Sequence, residues 1–194
     1  MNVLFVLSLV AVAFGQGPQR CETPKQWEGE ITMHDHTDGI ETRAKLTYDG
    51  VGERTRWVDR VFLNGKTEFY DTLRLHRENV EYVVDLRTKK CERRPLTERF
   101  RVFEIPLGAK SMGEAYVGSS ALLGSGVLVG LWEATLSDRD NGLWTGQWAV
   151  DGCVPVWDHL WHNRVNYTSI HFYDITLGIS DPNVFLPPAE CGRH

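Results

Sequence analysis

Residues 27–50 read WEGEITMHDHTDGIETRAKLTYDG, and their alternation decides the fold. Trp27, Ile31 and Met33 fall on one face of an extended chain, with Glu28, Glu30 and His34 on the other. Thr37-Asp38-Gly39 supplies a turn, after which Ala44, Leu46 and Tyr48 oppose Arg43 and Lys45. The same period continues to Leu86, where Val80, Tyr82, Val84 and Leu86 oppose Glu81, Asp85 and Arg87. Asp49-Gly50, Asn64-Gly65 and Glu78-Asn79 punctuate it, and such pairs between alternating runs are strong hairpin signals. The segment is predicted to be an antiparallel meander of five strands.

Working outward, residues 101–126 lose the period. Pro106, Gly108, Gly113, Gly118, Gly124 and Gly126 interrupt them, and a short helix is expected near residues 109–116. Alternation returns from Val127 and runs through 131–136, 144–150, 154–160 and 169–177. Val156 and Leu160 face one way and Trp157 and Trp161 the other, while Trp144, Trp148 and Val150 share a face. Two runs of strands separated by an irregular crossing predict an all-β protein with little helix. Its expected architecture is two stacked, curved antiparallel sheets or a wide, half-open barrel. The last run, HFYDITLGISDPNVFLPPAEC at 171–191, places Phe172, Asp174 and Thr176 on one face, opposite Tyr173, Ile175 and Leu177. Gly178, Asp181-Pro182 and Pro187-Pro188 then predict a tail that folds back and is stapled at Cys191.

Met1 to Gly15, MNVLFVLSLVAVAFG, reads as a secretory signal peptide cut before Gln16, which leaves one domain over 16–194. No later stretch has the length of a membrane-spanning helix, so a soluble secreted chain is expected. Cys21, Cys91, Cys153 and Cys191 make an even set in an oxidising compartment and predict two disulfides. Their spacing suits neither zinc nor C-x-x-C redox chemistry and leaves three connectivities open. Asn166-Tyr167-Thr168 is a glycosylation sequon. A formal net charge of −5 argues against nucleic acid as a partner. The basic run at 87–94 contains no aromatic platform and reads as a solvated turn.

Chemistry-bearing motifs are sparse. Asp138-Arg139-Asp140-Asn141-Gly142 begins like a calcium loop, but Leu143 and Ala149 stand where such a loop needs glycine and glutamate. His34 and His36 share a strand face and could chelate, although hairpin-end histidine pairs are usually solvated. No nucleophile elbow, zinc-protease motif or phosphate loop occurs, and no spacing singles out a Ser/His/Asp triad. No catalytic residue is assigned.

Five segments in order carry a resemblance. They are CETPKQWEG at 21–29, LTYDG at 46–50, Lys90-Cys91, GCVPV at 152–156, and FYDI at 172–175 continuing to Cys191. Together with the secretory leader they resemble the ependymin and ependymin-related family over the whole mature length. The resemblance implies a fold similar to bacterial lipoprotein carriers, a deep apolar pocket, lipid-like ligands, calcium and a homodimer. It implies the pairs Cys21–Cys153 and Cys91–Cys191, and extracellular or lysosomal sites. A third bridge known in relatives is missing here, since residues 60–73 contain no cysteine.

Seven tryptophans, read with this resemblance, predict that Trp57, Phe69, Tyr82, Trp132, Trp148 and Phe172 line the cavity. The apolar stretch at 121–131 is the expected self-association surface. The function expected is a secreted, non-enzymatic glycoprotein that binds hydrophobic small molecules, with calcium as the expected ion. The alternatives are a calcium-dependent matrix or adhesion protein and a hydrolase with an unrecognised triad.

Overall fold

The computed structural model describes residues 18–136, 142–162 and 166–192. Eleven strands follow the chain: β1 (Gln26–Asp35), β2 (Ile40–Asp49), β3 (Arg54–Leu63), β4 (Lys66–Leu75), β5 (Val80–Asp85) and β6 (Cys91–Pro95), then β7 (Lys110–Gly118), β8 (Gly126–Leu136), β9 (Gly142–Ala149), β10 (Pro155–His162) and β11 (Asn166–Leu177). They form one antiparallel sheet in the order β6-β5-β4-β3-β2-β1-β11-β10-β9-β8-β7. The protein is all-β as expected, and of the two arrangements expected it has the open one: the two strand runs are two arms of one sheet that does not close, joined where β1 pairs with β11. Residues 27–86 form the expected five strands. The helix expected near 109–116 is instead the edge strand β7, in which Gly113 takes φ 107° at a register shift against β8.

Pairing of β1 with β11 carries a bulge. Trp27 opposes Leu177 and Ile31 opposes Phe172, with a shift between Glu28 and Glu30. Gly29 therefore faces two residues, Asp174 and Ile175, and Asp174 takes a left-handed φ of 52°. A Cβ at Gly29 would stand 3.0 Å from the Tyr173 carbonyl oxygen. The bulge flips the expected parity of β11, so Phe172 and Ile175 both pack against the core around Trp27. A second bulge, at Val156, stands between the pairs Pro155–Trp148 and Trp157–Gln147.

One face of the sheet, here the inner face, carries two buried clusters. Trp27, Ile31, Ala44, Leu46, Tyr48, Ile170 and Phe172 form the first. Trp132, Ala134, Trp144 and Trp148 form the second, beside Cys153. The crossing segment 96–109 spans both. Phe103 sits edge-on to Trp27, Tyr48 and Phe172 with ring centroids 5.4–5.8 Å apart, and Ile105 is fully buried among the tryptophans of the second cluster. Gly146 lies between Trp144 and Trp148, and a Cβ there would come within 2.5 Å of the Trp144 ring.

The distal part of the first arm reverses this polarity. Its inner face carries Arg74, Glu81 and Arg94, linked by Glu81 to both arginines at 3.4 and 2.7 Å. Its outer face buries Leu73, Val80 and Val84. The C-terminal tail covers that face: the turn Pro182–Phe185 buries Phe185 beneath the Arg54 guanidinium at 4.2 Å. Arg56 donates to the Val184 carbonyl at 2.7 Å. Cys91 bonds to Cys191 and Cys21 to Cys153, the pairing the resemblance implied.

Removing the Phe103 ring tests the role of the crossing segment. Phe103→Ala should lower unfolding stability by about 3–5 kcal/mol, the usual cost of a large-to-small core change. Denaturant unfolding checks this. A loss below about 1 kcal/mol would mean that the segment lies loosely on the sheet.

Candidate functional site

The crossing segment leaves a cavity of about 370 Å³ between itself and the inner face of the first arm. Strands supply the floor: Met33 from β1, Thr42 from β2, Trp57, Asp59 and Val61 from β3, and Ile170 from β11. Residues 98–101 and Phe103 supply the cover, with Phe100 stacked on Tyr48 at 5.5 Å and edge-on to His76 at 5.1 Å. Arg74 closes one side, its guanidinium 5.5 Å from the Trp57 ring centroid. Beyond Asp59 and Arg74 a polar groove of about 520 Å³ continues along the inner face of β4–β6, past Tyr70, Asp85, Lys90 and Glu92. Asp59 and Arg74 thus stand between an apolar-floored cavity and a charged trough.

Two arginines beside this cavity are already engaged. Arg74 reaches Glu81, and Arg101 donates to the buried Asp158 at 3.0 Å. Asp59 differs. Its Oδ1 is buried and has no hydrogen-bond partner among the described residues. Burial pushes its carboxyl up to about 6, against the opposing pull of Arg74 and the Tyr70 backbone N–H. The same desolvation pulls the His76 imidazole at the cavity mouth below its ordinary range.

The residues expected to line one cavity are distributed over three places. Trp57 lines the cavity just described. Trp132, Trp148 and Phe172 are 6%, 1% and 6% exposed and sit in the core clusters. Phe69 and Tyr82 lie on the outer face, Phe69 in an open depression with His34 and His171, and Tyr82 under the tail beside Leu186 and Pro187. Asp59, Arg74, Phe100 and Phe103 were not singled out. One signal was legible: Asp59 interrupts the apolar row Trp57–Val61 on β3. Phe103 lies in the segment without periodicity, and Phe100 immediately precedes it, so neither gave a sign of being core.

His34 and His36 do share the outer face, with ring centroids 5.9 Å apart, and His36 Nε2 lies 2.9 Å from Ser169 Oγ. Among the described residues no group of three or more His, Cys, Asp or Glu is placed to hold a metal ion. Residues 138–141 of the rejected calcium loop, the leader at 1–15 and the Asn166 side chain lie outside the described residues. No helix among the described residues is long and apolar enough to cross a membrane.

One open antiparallel sheet of eleven strands, its inner face crossed by the segment between β6 and β7, places the chain among the all-β proteins. A solved protein of this fold, an uncharacterized conserved protein from Thermus thermophilus, superposes with a TM-score of 0.52. It is 10% identical and covers 85% of this chain and 86% of its own. Residues 64–191 match the Ependymin family model, and the chain belongs to that family. Among relatives, mammalian ependymin-related protein 1 of Mus musculus is 31% identical over 175 residues, 90% of this chain and 77% of its own length. Ependymin-2 of Oncorhynchus mykiss is 26% identical over 194 residues, 98% of this chain and 86% of its own length.

The raised Asp59 carboxyl makes a stability prediction. A carboxyl raised on folding binds its proton more tightly in the native state, so stability falls as pH rises from about 4 to about 6. Asp59→Asn removes that cost. The variant should melt above the parent at pH 7.5, with the gain shrinking below pH 6 and gone near pH 4. Thermal unfolding across pH checks it, and a parent more stable than the variant at pH 7.5 contradicts it.

Proposed function

We propose that this ependymin-type protein is secreted and non-enzymatic, and that it holds a hydrophobic small molecule in the inner-face cavity under residues 98–103. The observation that carries this reading is the cavity itself, whose floor and cover present Met33, Trp57, Val61, Phe100 and Ile170. Its volume of about 370 Å³ falls in the usual range of small-molecule sites, roughly 300–1,000 Å³. Its cover is irregular chain and not a strand of the ladder, so lifting it breaks no sheet hydrogen bonds. Each methylene sheltered there contributes about 0.8 kcal/mol.

Family membership, the leader-like residues 1–15 and two disulfides support an extracellular site. Self-association through the β7–β8 hairpin belongs to the same reading. Leu122, Leu123 and Val127 are exposed there, and no charged side chain occurs from Ala115 to Trp132.

Native mass spectrometry of protein purified from secreting cells without detergent tests the reading. The expected result is a bound apolar or amphiphilic mass, lost on denaturation. Trp57→Ala should weaken rebinding of a long-chain probe about tenfold, the consequence of losing one large apolar wall. An empty cavity that also takes up no long-chain probe contradicts the proposal.

A further inference from the structure

We infer that the end of the β7–β8 hairpin is a membrane-docking tip, which enters the headgroup layer of a lipid bilayer through Leu122 and Leu123. This extends the carrier reading, because an apolar ligand is taken from and returned to lipid, but it stands on residues outside the cavity.

No charged side chain occurs from Ala115 to Trp132. The distal half of the hairpin is exposed on both faces. Tyr116 and Val117 are neighbours on β7 and so point to opposite faces, yet they are 50% and 45% exposed. Val127, paired with Val117, is 51% exposed. The loop beyond them presents Leu122 and Leu123 at 66% and 106%. Apolar side chains thus surround the arm on both faces and at its end.

Hydrogen bonds within the loop hold the two leucines out. The Ser119 N–H donates to the Ser125 carbonyl at 3.0 Å, and the Ser125 N–H to the Leu122 carbonyl at 3.0 Å. Ser119 Oγ accepts from the N–H groups of Ala121 and Leu122 at 3.2 and 3.3 Å. These bonds satisfy backbone donors that would be costly to bring unpaired into lipid. A Cβ at Gly118 or Gly126 would collide with the facing backbone, so glycine is needed where the two strands close on the loop.

A bilayer fits this shape better than a second copy does. A copy packed on the hairpin covers one face, and a stable protein interface takes about 20–30 residues a side. The exposed arm is only the short run from Tyr116 to Val127, wrapped round two faces, and lipid closes round such a tip from every side. The first charges back from the tip are Glu114 and Glu133. At about 3.3 Å per residue Glu114 lies about 13 Å behind Gly118, whereas interfacial segments enter about 5–10 Å. The arm therefore reaches its depth before a carboxylate is buried. With no cation in the stretch, docking draws on apolar burial and not on anionic headgroups.

The test is flotation of the secreted protein with vesicles of uncharged phosphatidylcholine, beside the variant Leu122→Ser/Leu123→Ser. The parent should float with the vesicles. Raising salt from about 0.1 M to about 1 M, which cuts the screening length from about 10 to 3 Å, should leave the bound fraction unchanged. The double variant should need about tenfold or more lipid for half-maximal binding, the scale of two leucines left in water. Both positions are exposed, so the variant should fold and take up Nile red as the parent does. Leu123→Trp adds a positive readout: relative to the parent, its added emission should shift to the blue on vesicles and be quenched by lipid brominated near the headgroup. A parent that binds no vesicle, binding that survives in the double variant, or binding seen only with anionic lipid at low salt overturns the inference. So does a double variant that changes only the association of copies with one another. Each of these results leaves the carrier reading standing while the parent takes up Nile red, and a parent that takes up none overturns that reading alone.

Discussion

Pairing of β1 with β11 is the constraint on which the rest of the molecule depends. It splices a meander begun near residue 26 to one that ends near residue 177, and so converts two arms into one sheet. Such a contact closes a loop spanning most of the chain, and its entropy cost must be met by what gathers around it. Trp27, Phe172 and Phe103 meet there in edge-on contacts. The Cys21–Cys153 bond lies just before β1 and ties it to the turn before β10, with a sequence separation of 132. The Gly29 bulge turns both Phe172 and Ile175 into this cluster.

From that junction the inner face divides. Toward the second arm it is closed by Ile105 and three tryptophans, and Trp148 donates to the buried Thr23 hydroxyl at 2.9 Å. That side is a packed core with its polar handle satisfied. Toward the first arm the crossing segment departs from the sheet and leaves the cavity under Phe100. Further out, the polarity of the strands reverses and the tail takes over the apolar work on the outer face. A partly exposed ion-pair network of Arg74, Glu81 and Arg94 replaces it inside. The cavity therefore lies where an apolar inner face meets a charged one, which is the geometry an amphiphile needs.

Much of this was legible in the residues. Alternation located all five strands of the first meander, and Asn64-Gly65 marked a tight hairpin in which both residues take positive φ. The even cysteine count and the family resemblance anticipated both bridges. What stayed hidden depends on non-local geometry. The bulge at Asp174 reversed the faces of the last strand, because period-two reading fails wherever one extra residue enters. The 96–109 segment has no period because it is not a strand, yet Phe103 and Ile105 are core. Phe69 and Tyr82 satisfied the alternation rule but lie on a face the tail and solvent share, a distinction that pairing order alone decides.

The central claim is that the crossing segment is the cover of a ligand site and not merely part of a closed core. Hydrogen–deuterium exchange with and without a saturating long-chain alcohol such as dodecanol tests it most directly. Slowed exchange is predicted at residues 98–103 and 57–61, with the tail at 182–191 unchanged. Slowed exchange confined to the tail or to the outer face would place the ligand elsewhere and contradict that claim.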